Sequence, residues 1–165
     1  MDPPAGIEAR VFSHLNELGV PYEVLPCDPE LADTRLFCEH YRIDPDVSAN
    51  TILIVSKRPP GRYALCVTLA TTRLDVNHRV RELLDCKKLS FASADETTFV
   101  TGMMLGGVTP FAVESPDVPI YIDQRVLERD EIVLGGGSRS CKIRISPEVF
   151  HRLAGAKVVT DLALS

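Results

Sequence analysis

The stretch TILIVSKRPPGRYALCVTL, residues 51–69, sets the class of the fold. Residues 51–56 form a continuous β-branched run and residues 63–69 a second, and the Arg58-Pro59-Pro60-Gly61-Arg62 stretch between them has the composition of a turn. The two runs are predicted to pair as a central hairpin. On the N-terminal side, Ile7, Val11, Leu15 and Leu18 recur every three or four residues and Gly19 follows where a helix would end, the pattern of an amphipathic helix laid over a sheet. Residues 22–25 read as a short strand closed by Pro26. Asp33 or Thr34 then caps a second helix to about Tyr41, and Asp44-Pro45-Asp46 marks a turn. On the C-terminal side, Asp75 caps a helix carrying Val76, Val80, Leu83 and Leu84, and residues 89–92 return as a strand. Ser93 with Glu96 is a capping-box signature for a helix that stops at Gly102. Strands are predicted over 119–123, 131–134 and 141–145, with Cys141, Ile143 and Ile145 on one face. Ser146-Pro147 opens a helix to about Ala154, and 157–159 adds an edge strand. The periods alternate between two and 3.6. The predicted class is mixed α/β with α+β character, a mixed β-sheet of about six to eight strands wrapped by helices. No repeat, low-complexity tract or linker divides residues 1–165, so a single domain is expected.

Composition narrows the function classes. At 165 residues, 45% hydrophobic and 25% charged, the chain matches an ordinary globular protein and not a disordered one. Every apolar run falls far short of the ~20 residues of a membrane span, and the N-terminus lacks the basic-then-apolar order of a secretory signal, so no membrane partner and a cytoplasmic location are expected. The five cysteines, Cys27, Cys38, Cys66, Cys86 and Cys141, are widely spaced without a CxxC pair, which predicts small buried hydrophobes instead of disulfides or a zinc site. Cys38 and His40 lie two apart on a helix and point different ways. His14, His40, His78 and His151 have no metal-ligand spacing, and neither metal nor cofactor is expected. The formal charge of −5 argues against a grip on DNA or on any long nucleic acid, since phosphate neutralisation drives most of that affinity. RNA, if bound, is expected to be touched over a small local site.

Two glycine clusters carry the chemistry. In Gly106-Gly107-Val108-Thr109-Pro110, glycine lets backbone amides approach a ligand closely, so an array of N–H groups can line a pocket floor. Gly135-Gly136-Gly137, followed by Ser138 and Arg139, is a second such turn with an added cation. It is not a nucleotide P-loop, because the GxxxxGK[ST] spacing is absent and a strand follows. Glu114 and Asp117 flank a proline loop and read as solvated.

These features resemble, in order and over nearly the whole length, the YbaK family, also called the prolyl-tRNA synthetase associated domain. The resemblance rests on Ala32-Asp33-Thr34 at a helix mouth, Thr51-Ile52-Leu53-Ile54-Val55, Thr72-Arg73-Leu74-Asp75 before a helix, and residues 89–92 before a helix ending in Thr101-Gly102. It continues through Gly106-Gly107-Val108-Thr109-Pro110, Pro119-Ile120-Tyr121-Ile122-Asp123, Gly135-Gly136-Gly137-Ser138-Arg139 and Ile145-Ser146-Pro147.

It implies hydrolysis of aminoacyl-tRNA carrying the wrong amino acid, in trans or as an editing insertion of prolyl-tRNA synthetase; a monomer and a homodimer are both left open by the sequence. An aminoacyl ester is already activated, so positioned donors, a water and the terminal ribose hydroxyl suffice. By the resemblance, Gly106 and Pro110 end the family's GxxxP loop, and the amides of Gly106, Gly107 and Val108 face the substrate carbonyl. Asp33, Thr34, Thr109, Pro110, Gly136, Gly137, Ser138 and Arg139 surround the aminoacyl-adenosine end. Aligned without a gap, Asn50 stands where the family's editing lysine usually does, offering a hydrogen bond but no charge. Lys57 lies about 23 Å along the strand at ~3.3 Å per residue, although a folded-back loop could bring in Arg35, Arg139 or Lys142. The alternative is a binding or regulatory member of the same fold without turnover. All of it requires the two glycine turns to converge beside position 50.

Overall fold

The computed structural model describes residues 6–165. The predicted hairpin is its spine: β2 (Ala49–Arg58) pairs antiparallel with β3 (Pro60–Leu69), with Asn50 opposite Thr68 and Ile54 opposite Ala64. The run is continuously apolar because both faces are covered. Leu53, Val55, Leu65 and Val67 enter the main core, while Ile54, Ala64 and Cys66 enter a second cluster with Leu74, Val80, Leu84 and Leu162.

β5 (Lys88–Phe91) pairs with the free side of β2. β6 (Ile120–Asp123) and β9 (Ala156–Val159) add in parallel beyond β3, giving a five-stranded mixed sheet of order β5-β2-β3-β6-β9. A second, antiparallel sheet has the order β1-β8-β7, from Tyr22–Pro26, Cys141–Ile145 and Ile132–Gly135. A parallel bridge between Ser48 and Val133 joins the sheets where β2 begins. The mixed α/β class therefore stands. Among the described residues, eight strands have four or more residues, divided between these two sheets, and the two-residue strands β4 (Arg73–Leu74) and β10 (Ala163–Leu164) pair separately.

Helix ends follow local chemistry. α1 (Ile7–Leu18) buries Ile7, Val11 and Leu15 and stops at Gly19, whose φ of 76° lets its amide reach the Leu15 and Asn16 carbonyls. α2 (Thr34–Tyr41) starts where the Asp33 side chain accepts from the Arg35 amide at 3.0 Å. The 76–84 segment is a π-helical turn, Val76–Val80, running into α3 (Arg81–Leu84). The predicted capping box is present in full at α4 (Ala94–Thr101), with Ser93 and Glu96 bonded reciprocally. One expectation is corrected and one unforeseen element is added. The turn opened by Ser146-Pro147 is a 3-10 helix that ends at His151, short of Ala154, because its polypeptide turns back to feed β9. A four-residue helix, α5 (Gln124–Leu127), follows β6, capped by Asp123, whose other oxygen accepts from the Ala163 amide at 2.7 Å.

All five cysteines are free and buried, and burial pushes Cys66 up to about 12 and Cys141 up to about 11. A native thiol assay at neutral pH is expected to register fewer than about one reactive group, because the attacking species is the thiolate. Denaturant should release all of them; fast native labelling of two or more would contradict this packing.

Candidate functional site

A cleft of about 750 Å³ opens at the seam between the two sheets. Asp33, Thr34 and Cys38 of the α2 segment form one wall, Ala49, Asn50 and Ile52 of β2 another, and Leu105, Gly106 and Val108 a third; Gly135 and Lys142 close the back. The α2 wall is set by a satellite cluster in which Phe37 is buried with Cys27, Ala32 and Val133. Thr34 Oγ1 donates to Asn50 Oδ1, which ties α2 to β2 and leaves the Asn50 amide protons without an acceptor among the described residues. The Thr51 hydroxyl on the same wall is buried and also lacks a partner among them.

The two glycine turns are packed against each other. A Cβ on Gly107 would lie 2.5 Å from the Ser138 backbone, and one on Gly135 would lie 2.3 Å from the Val108 carbonyl oxygen. Only glycine permits so close an approach. The Gly107 amide donates to the Met104 carbonyl at 2.9 Å, and its own carbonyl accepts from the Gly137 amide at 2.8 Å. Among the described residues the amides of Gly106 and Val108 donate to nothing, and both residues line the cleft.

Of the residues singled out from sequence, Asp33, Thr34, Asn50, Gly106 and Val108 therefore share the cleft wall. Gly107, Thr109, Pro110, Gly136, Gly137, Ser138 and Arg139 stand behind it. Thr109 is fully buried with its amide on the Met103 sulfur at 3.4 Å. Gly136 packs against Cys141, and Gly137 against Val11 and Ile7 of α1. The Ser138 hydroxyl donates to the Glu8 carboxylate. Arg139 spans the outside of the loop, donating to the Pro29 carbonyl at 2.9 Å and the Leu105 carbonyl at 2.7 Å. Glu114 lies elsewhere, paired with Arg10 at 3.0 Å.

Lys142 is the residue that sequence reasoning placed least well. It sits on β8 itself, on the face opposite Cys141 and Ile143, and is 6% exposed. Its Nζ donates to the Ala32 carbonyl at 2.7 Å and the Gly106 carbonyl at 2.9 Å, and lies 5.5 Å from the centre of the Phe37 ring. Burial lowers its pKa below the ordinary lysine value; Arg139 acts in the same direction, while Cys27, Cys38 and Asp33 oppose it. The available signal was a cation on the polar face of an alternating strand shortly after a glycine turn, but Arg144, which pairs with Glu23 at 2.9 Å, shares that face and that signal.

The family model for the aminoacyl-tRNA editing domain matches residues 28–153, a span holding every wall of the cleft. The chain belongs to that family. As an editing domain it also shares its fold with solved structures at low identity. A protein solved as a candidate trans-editing enzyme for prolyl tRNA synthetase superposes with a TM-score of 0.80 at 21% identity, covering 98% of each chain. A hypothetical protein gives 0.80 at 23% identity over 93% of this chain and 99% of its own. In a candidate signal transduction protein from Marinobacter aquaeolei VT8, the fold recurs with a TM-score of 0.61 at 18% identity, over 95% of this chain but 31% of that longer one. No described helix of the editing domain is long and apolar enough to cross a membrane. Among its described residues no cluster of three or more His, Cys, Asp or Glu could hold a metal, and His14 is used internally, accepting from the Ala112 amide at 2.9 Å.

Proposed function

We propose that this editing domain acts in trans in the cytoplasm, hydrolysing the ester between a wrongly attached amino acid and the end of its tRNA. The observation that carries this is the pair of residues Gly106 and Val108, which line the cleft with backbone amides that lack an acceptor among the described residues, beside the equally unpaired side-chain amide of Asn50. The volume lies within the ~300–1,000 Å³ usual for small-molecule sites. Water attacks the ester carbonyl, the negative oxygen of the tetrahedral intermediate is received by backbone N–H donors, and collapse releases the amino acid and restores the ribose hydroxyl. No protein nucleophile is required, since the ester is already activated. The net negative charge fits contact with the acceptor end alone.

A second reading, binding of an aminoacyl end without turnover, is favoured by one feature: position 50 brings no charge, and its side-chain oxygen is already engaged by Thr34. Both are tested by presenting wild type and Asn50→Lys with a panel of mischarged tRNAs. Wild type should release one or a few amino acids above background, and Asn50→Lys should raise that rate by about tenfold, equivalent to ~1.4 kcal/mol of transition-state stabilisation. Flat rates for both proteins, with tight binding of a non-hydrolysable aminoacyl-adenosine analogue, would replace the hydrolase by the binding module.

A further inference from the structure

A buried lysine is costly to keep. Desolvating an ammonium is unfavourable, and apolar replacements of similar shape are often neutral or stabilising, so stability does not account for Lys142. Its acceptors suggest what does. Ala32 stands at the entrance to α2 and Gly106 in the loop on the opposite wall, so one ammonium spans the cleft's two sides.

The loop's peptide units add the second half. In a trans peptide the C=O and the following N–H point in opposite directions, so holding a carbonyl on one side presents the amide on the other. The Leu105 carbonyl is held by Arg139, the Gly106 carbonyl by Lys142, and the Gly107 carbonyl by the Gly137 amide. The amides paired with the first and third of these are those of Gly106 and Val108, the two that remain open. Gly106 has a φ of 90°, a region glycine enters at little cost, so its own preferences do not decide which way the loop peptides face.

We propose that Arg139 and Lys142 form a two-cation clamp on consecutive loop peptides: Arg139, by holding the Leu105 carbonyl, presents the Gly106 amide, and Lys142 locks the next peptide, whose amide is spent on Met104, so that the Gly137 bond can keep the Val108 amide open. They are positioning residues and touch no reacting atom. The clamp rests on the hydrolase reading for its purpose but not for its geometry. It also places positive charge beside the loop, that of Lys142 at the cleft wall, in a domain whose position 50 is neutral; besides Arg139, the ionisable neighbours of Lys142 are Cys27, Cys38 and Asp33.

The test compares wild type with Lys142→Met, which keeps the length of the buried stem, and Arg139→Met, at the less buried site. Hydrogen exchange at the Gly107 and Gly137 amides reports loop order, and single-turnover kinetics on the responsive mischarged tRNA report chemistry. In each variant, exchange at these amides should accelerate at least about tenfold while kcat falls about 10–100-fold and KM changes by less than about threefold. Folded variants with wild-type exchange overturn the clamp, as do variants with faster exchange but unchanged kcat. A wild type inert on every tRNA defeats the hydrolase reading instead, and the exchange result alone then decides the clamp. Should Lys142→Met not fold, Arg139→Met carries the same comparison.

Discussion

Gly135→Ala is expected to lower the thermal midpoint by about 4–12 °C and to abolish whatever the cleft binds or hydrolyses. The added methyl would lie 2.3 Å from the Val108 carbonyl oxygen and 3.1 Å from that of Gly107, both backbone atoms of the turn facing it. No side chain can swing aside. Relief must come from separating β7 from the loop, and overpacking of this kind costs about 2–3 kcal/mol, which for a chain of this size corresponds to that temperature shift. Separation also moves the Val108 amide, so function should fail even where the fold survives at low temperature. Gly136→Ala is the internal comparison: its methyl meets first the Cys141 sulfur at 2.5 Å, a side-chain atom, and should be tolerated better. Differential scanning calorimetry on both settles the order; equal losses would mean that the two turns are not in contact.

Phe37→Ala should be at least as damaging to stability, by about 3 kcal/mol, near the lower end for a buried phenylalanine because the neighbouring cleft can admit water to the gap. Phe37 is 1% exposed, anchors α2 to Val133 of β7, and sets its ring 4.8 Å from that of Tyr41, tilted by 36°. It is also the face over which the Lys142 ammonium rests. The variant therefore loses the α2 wall and one of the contacts that stabilise the clamp's buried charge. Phe37→Leu, which keeps most of the volume, should recover most of the stability. Urea unfolding gives the comparison directly, and a Phe37→Ala loss below about 1 kcal/mol would mean that α2 is held by something other than this cluster.

What the sequence disclosed depended on the range of the physics involved. The Asp33 cap, the Ser93 and Glu96 box and the Gly19 stop act over three or four residues, and each stands where local rules put it. Both runs of the hairpin were legible because burial on two faces leaves an unbroken apolar record. α5 was not, since four residues beginning Gln124-Arg125 carry no period, and β4 with β10 pair only because residues 73–74 and 163–164 meet in space.

The site divides in the same way. A glycine announces that something comes close, but the something is the same to the sequence whether it is a ligand or another stretch of backbone. At Gly106, which lines the cleft, it is the Arg139 guanidinium and Ala32; at Gly107, Gly136 and Gly137 it is Ser138, Cys141 and α1. Lys142 was obscured for a related reason. Alternation along β8 tells which face a residue occupies, and only the placement of α2 and the Gly106 loop reveals what covers that face.

The cleft's walls come from segments near residues 33, 50, 106, 135 and 142, so more than a hundred positions of chain separate the first contributor from the last. Such distant closures are the slow part of folding. During synthesis the pocket cannot exist until β8 has left the ribosome, and after dilution from denaturant, ligand-binding capacity should return later than the hairpin signal, with the β8 lysine arriving last to join the two sides.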